Sequence, residues 1–254
     1  MVGIALGELD CAAAAYTDEH ASSETTIIAG RAVTHGNLLG MGETSAKRQP
    51  KRAGKVHGGA PMNNFSAAYF KKFYLSAATR VVTASEMRSR AALIAAALSQ
   101  CRIPVRRILD AGCGIGLLRK PFEEYLPRAR YVGLESSEYL CRRFQWVPGS
   151  IVDFAPRSPF DLLVCYDVLQ YLPDAQAERA IANFSKLTRS ALYVSALTTE
   201  DWRENCDRSR TDRAVHLRPG AWYRRRLNKR FRYLGFGMWV RKNVTAILWE
   251  MERP

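Results

Sequence analysis

The chain lacks the residue patterns that mark a secreted, metal-binding or membrane protein. Its six cysteines are scattered and form no C-x-x-C pair and no zinc-type spacing. No apolar run approaches the roughly 20 residues that cross a bilayer. The first residues also lack the basic start and sustained apolar stretch of a secretory signal. We therefore expect a cytoplasmic protein with no metal site and no membrane span.

Acidic residues are scarce relative to basic ones. The chain has 24 Asp and Glu against 38 Lys and Arg, a formal net charge of +14. Residues 1–61 contain six residues of each sign, so the whole excess lies in residues 62–254. An excess of this size suits a partner rich in phosphates, an acidic small molecule, or only an arginine-rich surface.

The first 61 residues differ in composition from the rest. They are rich in Ala, Gly, Ser and Thr and show no sustained period of 3.6 or 2. We predict a disordered extension over residues 1–61, with Met62 as the natural start. A single folded domain is expected over residues 62–254, beginning with a helical cap over residues 65–100.

The most informative run is residues 107–116, RILDAGCGIG. An apolar strand ends in an acid and is followed by a glycine-rich turn and a helix, which is how a Rossmann-like sheet brings its backbone against a nucleotide-type ligand. The dinucleotide pattern G-x-G-x-x-G/A needs a small residue where Leu117 stands, and this disfavours a dehydrogenase. An acid 20–25 residues further on is placed to bind ribose hydroxyls, and Glu135 has that position after a predicted strand at 131–134.

The pattern D-x-G-x-G-x-G resembles motif I of the class I S-adenosylmethionine-dependent methyltransferases. Three later landmarks follow in the family's order: Glu135, the run 149–154, and the run 159–173 with its buried strand at 162–164. The resemblance covers roughly residues 65–250. It implies an α/β fold with a Rossmann-like, seven-stranded, mostly parallel sheet and helices on both faces. A C-terminal antiparallel hairpin is predicted from strands at 235–240 and 244–249, joined by a turn at 242–243.

The resemblance also implies a binding site for S-adenosylmethionine. In this family an acid after the third strand commonly binds the adenine, a role that falls on Asp153 with Phe154. Asp167 or Gln170 faces the pocket, or either is solvated. The implied cofactor-binding residues are Asp110, Gly112, Cys113, Gly114, Gly116, Glu135, Ser136, Asp153, Phe154, Cys165 and Tyr166.

The helical cap supplies further candidates. Thr83 and Glu86 form a T-x-x-E capping box before an alanine-rich helix through Leu98. The preceding segment carries aromatic residues at helical spacing, and its family counterpart lies over the cofactor. Tyr69, Tyr74 and Arg80 are candidates to bind the cofactor carboxylate or the substrate. Simple packing of the aromatic residues is the alternative.

The C-terminal half should contain the acceptor site. A strand is expected at 190–196, followed by an arginine-rich insertion at about 198–232. Insertions at this place commonly carry substrate specificity in the family. His216 is the histidine of the core that can take a proton near neutral pH, and Tyr223 is the second catalytic candidate. A surface or structural histidine and a core-packed tyrosine are the alternatives.

The predicted function is methyl transfer from S-adenosylmethionine by in-line displacement. A small-molecule acceptor, which would be acidic on one reading of the charge, is favoured over nucleic acid because no amino-methylation motif of the N-P-P-Y type follows the fourth strand. The alternatives are an RNA or DNA methyltransferase and a non-catalytic protein that binds S-adenosylmethionine or nucleic acid. The sequence predicts neither the methylated atom nor the oligomeric state.

Overall fold

The computed structural model describes residues 65–76 and 79–252. The predicted extension at 1–61 and the proposed start at Met62 lie outside the described residues. The strands of the described part are β1 (Arg107–Ala111), β2 (Arg130–Glu135), β3 (Val147–Pro148), β4 (Phe160–Tyr166), β5 (Thr188–Ser195), β6 (Phe231–Gly235) and β7 (Met238–Arg241).

These seven strands of the described residues form one sheet in the order β3-β2-β1-β4-β5-β7-β6. Strands β1 to β5 pair in parallel, whereas β7 pairs antiparallel with both β5 and β6. The predicted Rossmann-like sheet with its antiparallel C-terminal hairpin is therefore confirmed. Because the order reverses between β1 and β4, a crevice opens at the carboxyl ends of these strands.

Helices cover both faces of the sheet. They are α1 (Ala67–Phe70), α2 (Ala84–Gln100), α3 (Arg119–Tyr125), α4 (Glu138–Phe144), α5 (Asp174–Leu187), α6 (Thr199–Glu204) and α7 (Gly220–Leu227). The T-x-x-E prediction is confirmed, since the Thr83 hydroxyl accepts from the Glu86 amide and the Glu86 carboxylate accepts from the Thr83 amide. Over residues 65–76 and 79–252, no helix is long and apolar enough to cross a membrane.

The central strands are buried on both faces, as their continuous apolar sequence predicts. In β4, Leu162 and Val164 pack with α2 and α3, while Leu163 and Cys165 face α5 and α7. The same alternation places Ile108 and Leu109 of β1 on opposite sides. This two-sided packing fixes the register of the strands whose ends form the crevice.

The C-terminal hairpin lies at other residues than predicted. Phe236 and Gly237 make the turn, both with positive φ, so the strands are 231–235 and 238–241 rather than 235–240 and 244–249. The mirror-image turn matches the twist of the two strands. The alternating apolar residues after the hairpin, Val244, Ala246 and Leu248, instead pack on the cluster that α2 helps to form. The alternation of apolar residues at 244–248 thus reflects an extended segment that packs one side against this cluster.

Candidate active site

The glycine turn after β1 forms the floor of a cleft. The Gly112 amide donates to the Leu134 carbonyl over 2.7 Å, which ties the turn to β2. Gly114 has φ +55, and a Cβ placed on it would meet no atom within 4 Å. The backbone at Gly114 therefore faces free space and forms a cradle that a side chain would fill.

Glu135 stands at the end of β2 and is only 6% exposed. Its Oε2 accepts from the Gly114 amide over 2.9 Å, and its Oε1 accepts from the Ser136 and Ser137 amides over 2.8 and 2.9 Å. The Ser136 hydroxyl also donates to Oε1 over 3.4 Å, so Oε1 is fully engaged, whereas Oε2 accepts a single bond and has capacity for a ligand hydroxyl. The carboxylate thus joins the glycine turn to the N-terminus of α4 and keeps an oxygen in the cleft lining.

The turn after β3 lines the cleft with Gly149, Ser150 and Ile151. The amides of Asp153 and Phe154 both donate back to the Ser150 carbonyl, over 3.3 and 2.9 Å. This tight turn carries the chain away from the cleft, so Asp153 is exposed and Phe154 packs against the core. Asp153 and Phe154, which were expected to bind adenine, therefore lie outside the lining, whereas Ser150 and Ile151 lie within it.

The segment after β4 supplies the opposite wall through Asp167, Val168, Tyr171 and Leu172. Asp167 has φ +54, which is unusual for a residue with a side chain, and its amide donates to the Ser195 carbonyl over 3.0 Å. Of the two residues proposed to face the pocket, Asp167 lines it, and Gln170 is buried outside the lining.

Aromatic residues of the N-terminal segment cover the cleft. Tyr69 and Phe70 belong to α1, Phe65 lies two residues before it, and Tyr74 belongs to the π-helical turn at Lys71–Leu75. The Ser137 hydroxyl donates to the Phe65 carbonyl over 2.8 Å and so ties this segment to α4. The free space between these side chains and the opposite wall is about 650 Å³ when the open mouth is included.

A hydroxyl pair joins the cover to the opposite wall. The Tyr69 and Tyr171 hydroxyl oxygens lie 3.0 Å apart, and the Phe65 and Tyr171 rings meet edge to face with centroids 5.4 Å apart. Burial is the largest effect on both phenols. It raises the pKa of Tyr171 to about 12 and that of Tyr69 further. Both phenols are therefore neutral and bridge the two walls as hydrogen-bonding groups.

The structure brings together six of the predicted site residues in this lining: Tyr69, Tyr74, Gly112, Gly114, Glu135 and Ser136. Others in the motifs support the lining from behind. Cys113 and Gly116 pack under Trp146, and Cys165 is fully buried in the core. Tyr166 lies against the Arg90 guanidinium, 4.2 Å from ring centroid to Cζ.

The remaining candidates lie away from the lining. Arg80 and His216 are exposed, and the His216 amide donates to the Gln170 carbonyl over 2.7 Å. Tyr223 is buried in the core, where its hydroxyl accepts from Arg218 over 3.2 Å. Neither catalytic candidate of the insertion therefore lies against the cleft. The backbone of His216 bonds to the wall segment, residues 167–172, and the Tyr223 side chain anchors α7 in the core.

Two supporting residues gave no signal in the sequence. Trp146 precedes β3, and its Nε1 donates to the Gly114 carbonyl over 2.9 Å from beneath the glycine turn. Arg218 is one of many arginines in the insertion but is only 3% exposed. It donates to the carbonyls of Leu169 and Leu172, which flank the wall residue Tyr171. Neither role follows from local spacing, because both contacts join distant parts of the chain.

Part of the chain is similar in sequence to known methyltransferases. A family model described as a methyltransferase domain matches residues 109–190. The trans-aconitate 2-methyltransferase of Azoarcus sp. (strain BH72) is 34% identical over 74 residues, which cover 26% of this chain and only 29% of that relative.

Solved structures are similar over a larger part of the chain. Magnesium protoporphyrin IX methyltransferase from Synechocystis PCC 6803, solved with bound S-adenosylhomocysteine, gives a TM-score of 0.54 at 17% identity over 71% of this chain and 98% of that one. Streptomyces venezuelae DesVI gives 0.51 at 18% identity over 69% and 97%. At these identities the likeness shows a shared fold.

Proposed function

We propose that the chain is a class I, S-adenosylmethionine-dependent methyltransferase that transfers a methyl group to a small-molecule acceptor bound in the cleft. The methyltransferase domain matched at residues 109–190 and the shared fold support this. When bound, S-adenosylmethionine supplies a methyl group that is already activated by its sulfonium leaving group. The protein's part is to bind, orient and shield the reactants.

The observation that carries this proposal is the arrangement of Glu135 and Gly114. The Glu135 carboxylate is held by three amides with acceptor capacity to spare, directly beside a glycine that faces free space. Such a site fits a ribose, whose hydroxyls donate to the carboxylate while the adjoining chain passes close to the backbone. Ser150 and Ile151 also line the cleft.

The aromatic cover supports a small acceptor. Phe65, Tyr69, Phe70 and Tyr74 close over the cleft, so that the space beneath them suits a compact molecule and excludes water from the reacting groups. The magnesium protoporphyrin and trans-aconitate enzymes named above are small-molecule methyltransferases by name. We also infer a reducing, cytoplasmic setting, because the five cysteines among the described residues are free thiols.

Calorimetric titration of the full chain with S-adenosylmethionine and S-adenosylhomocysteine tests the proposal. We expect binding by the wild type and a loss of about tenfold or more in Glu135→Gln, which removes a charged hydrogen-bond acceptor. Glu138→Gln is the matched control, since Glu138 is exposed on α4. A folded wild-type protein that binds neither compound would overturn the proposed function.

A further inference from the structure

The charged residues of the cleft lining are all acidic. Glu135 and Asp167 reach the lining, and no lysine, arginine or histidine does so among the described residues. The cover of the cleft is aromatic. This local balance is opposite to the net charge of +14 for the whole chain. The cleft therefore disfavours an anion and favours a cation, contrary to the expectation of an acidic acceptor.

Asp167 is the carboxylate whose negative charge is only partly balanced. Glu135 accepts from three backbone amides, whereas Asp167 forms no ion pair within the described part of the chain. Burial raises the pKa of Asp167, and hydrogen bonds from Tyr166 and Gln170 and the charge of Arg90 only partly oppose this. The ionised side chain would gain from a cation that a ligand brings.

Arg90 is not free to serve as that partner. Its guanidinium donates to the Tyr193 hydroxyl and, over 3.4 Å, to the Tyr166 hydroxyl, and it lies over the Tyr166 ring. These contacts hold Arg90 between β4 and β5, behind the residues that line the cleft. The position beside Asp167 on the cleft side is therefore left to a ligand.

Asp212 of the insertion adds negative charge near the cover: besides burial, its charge helps to raise the pKa of Tyr171.

We propose, resting on the methyltransferase function above, that the acceptor is an amine that enters as an ammonium cation with Asp167 as its counter-ion. An ammonium nitrogen has no free lone pair, so it must lose a proton before it can be methylated. The Asp167 carboxylate oxygen is placed to take that proton from the nitrogen and release it to solvent. The methylated atom is then nitrogen.

Matched probes test this inference in the full chain saturated with S-adenosylhomocysteine, which prevents turnover. Benzylamine is compared by calorimetry with phenylacetate, phenethylamine with 3-phenylpropanoate, and 1,4-diaminobutane with adipate. We expect at least one amine to bind about tenfold or more tightly than its carboxylate partner. Asp167→Asn should abolish that preference and keep the affinity for S-adenosylhomocysteine within about threefold, because asparagine also tolerates positive φ.

Glu138→Gln is the control, since Glu138 is exposed on α4 outside the lining, and it should keep the amine preference. The inference is overturned if no amine binds better than its partner, if Asp167→Asn keeps the preference, or if that variant folds but loses S-adenosylhomocysteine. The last result would assign Asp167 to the cofactor. Should Asp167→Asn fail to fold, the wild-type panel alone decides. Failure of the wild type to bind S-adenosylhomocysteine counts instead against the methyltransferase function.

Discussion

The Tyr131 hydroxyl donates a hydrogen bond to the Asp110 carboxylate, with 2.5 Å between the two oxygens. Asp110 is the last residue but one of β1, just before the glycine turn, and is 3% exposed. Burial raises the pKa of Asp110 to about 7; the Tyr131 hydrogen bond opposes this, and the Glu135 charge adds to it. The first acid of the D-x-G-x-G-x-G pattern is thus a buried group under the cleft floor, with its ionisation near neutral pH.

This pair predicts a pH-dependent stability. Because the folded-state pKa of Asp110 lies above its ordinary value, the protonated form stabilises the fold at low pH, and this contribution is lost as the pH rises through about 7. Between pH 5 and 8 the contribution should fall by about 2–3 kcal/mol. Urea unfolding of wild type and Asp110→Asn across this range measures it. Parallel pH profiles for the two proteins would contradict the prediction.

Trp146 should be needed for the shape of the glycine turn. Trp146→Phe leaves the buried Gly114 carbonyl without its indole donor and creates a small cavity beside Gly116 and Gly133. We expect the free energy of unfolding to fall by about 2–4 kcal/mol and the affinity for S-adenosylhomocysteine to fall as well. Trp249→Phe is the control, because Trp249 is 72% exposed. Equal stability of the two variants would show that the indole does not support the turn.

Gly114→Ala should weaken cofactor binding without preventing folding. The new methyl group would occupy the free space of the cradle, so we expect the variant to fold but to bind S-adenosylhomocysteine about tenfold or more weakly. The backbone strain should cost only about 1–2 kcal/mol. Gly235→Ala is the matched control, because Gly235 also has positive φ and no atom within 4 Å of an added Cβ, yet lies outside the cleft. Similar binding by both variants would contradict the proposal that the free space at Gly114 is part of the binding site.

The parts of the site that could be predicted from sequence are those set by short-range geometry. The glycine turn follows its strand directly, and Glu135 ends the next strand, only 21 residues from Gly114. Parallel strands bring such ends to one edge of the sheet, so the pattern was sufficient to join them. Tyr69 and Tyr74 were likewise candidates for the cleft, because the resemblance implied that their segment lies over the cofactor.

The adenine-binding role expected of Asp153 stays a prediction; the amides at 153 and 154 both bond to Ser150, and the Asp153 side chain is exposed. The error over the hairpin came where two conformations share one pattern. The residues at 244–249 alternate as a strand would, yet that segment packs against helix α2. Both acids of the lining, Glu135 and Asp167, were candidates from the sequence, but the absence of basic residues from the lining was not predicted, because it depends on which side chains the fold turns inward.

Arg218 shows why composition alone could not single out one arginine among many. Its guanidinium donates to Asp174 over 2.8 Å, to the Leu169 carbonyl over 3.1 Å and to the Leu172 carbonyl. It thereby joins the insertion to the wall segment that contains Tyr171. A lysine has one nitrogen and cannot reproduce this planar fork, so Arg218→Lys leaves buried carbonyls without donors.

We therefore expect Arg218→Lys to lower the free energy of unfolding by about 2–4 kcal/mol and to speed amide hydrogen exchange at residues 169–172. Asp174→Asn tests the ion pair separately. Because the Asp174 side chain is 75% exposed, its loss should cost less than about 1 kcal/mol. If Asp174→Asn were as destabilising as Arg218→Lys, the ion pair would be the main contribution. A large effect of Arg218→Lys alone shows that the arginine stabilises the cleft wall through its backbone carbonyls.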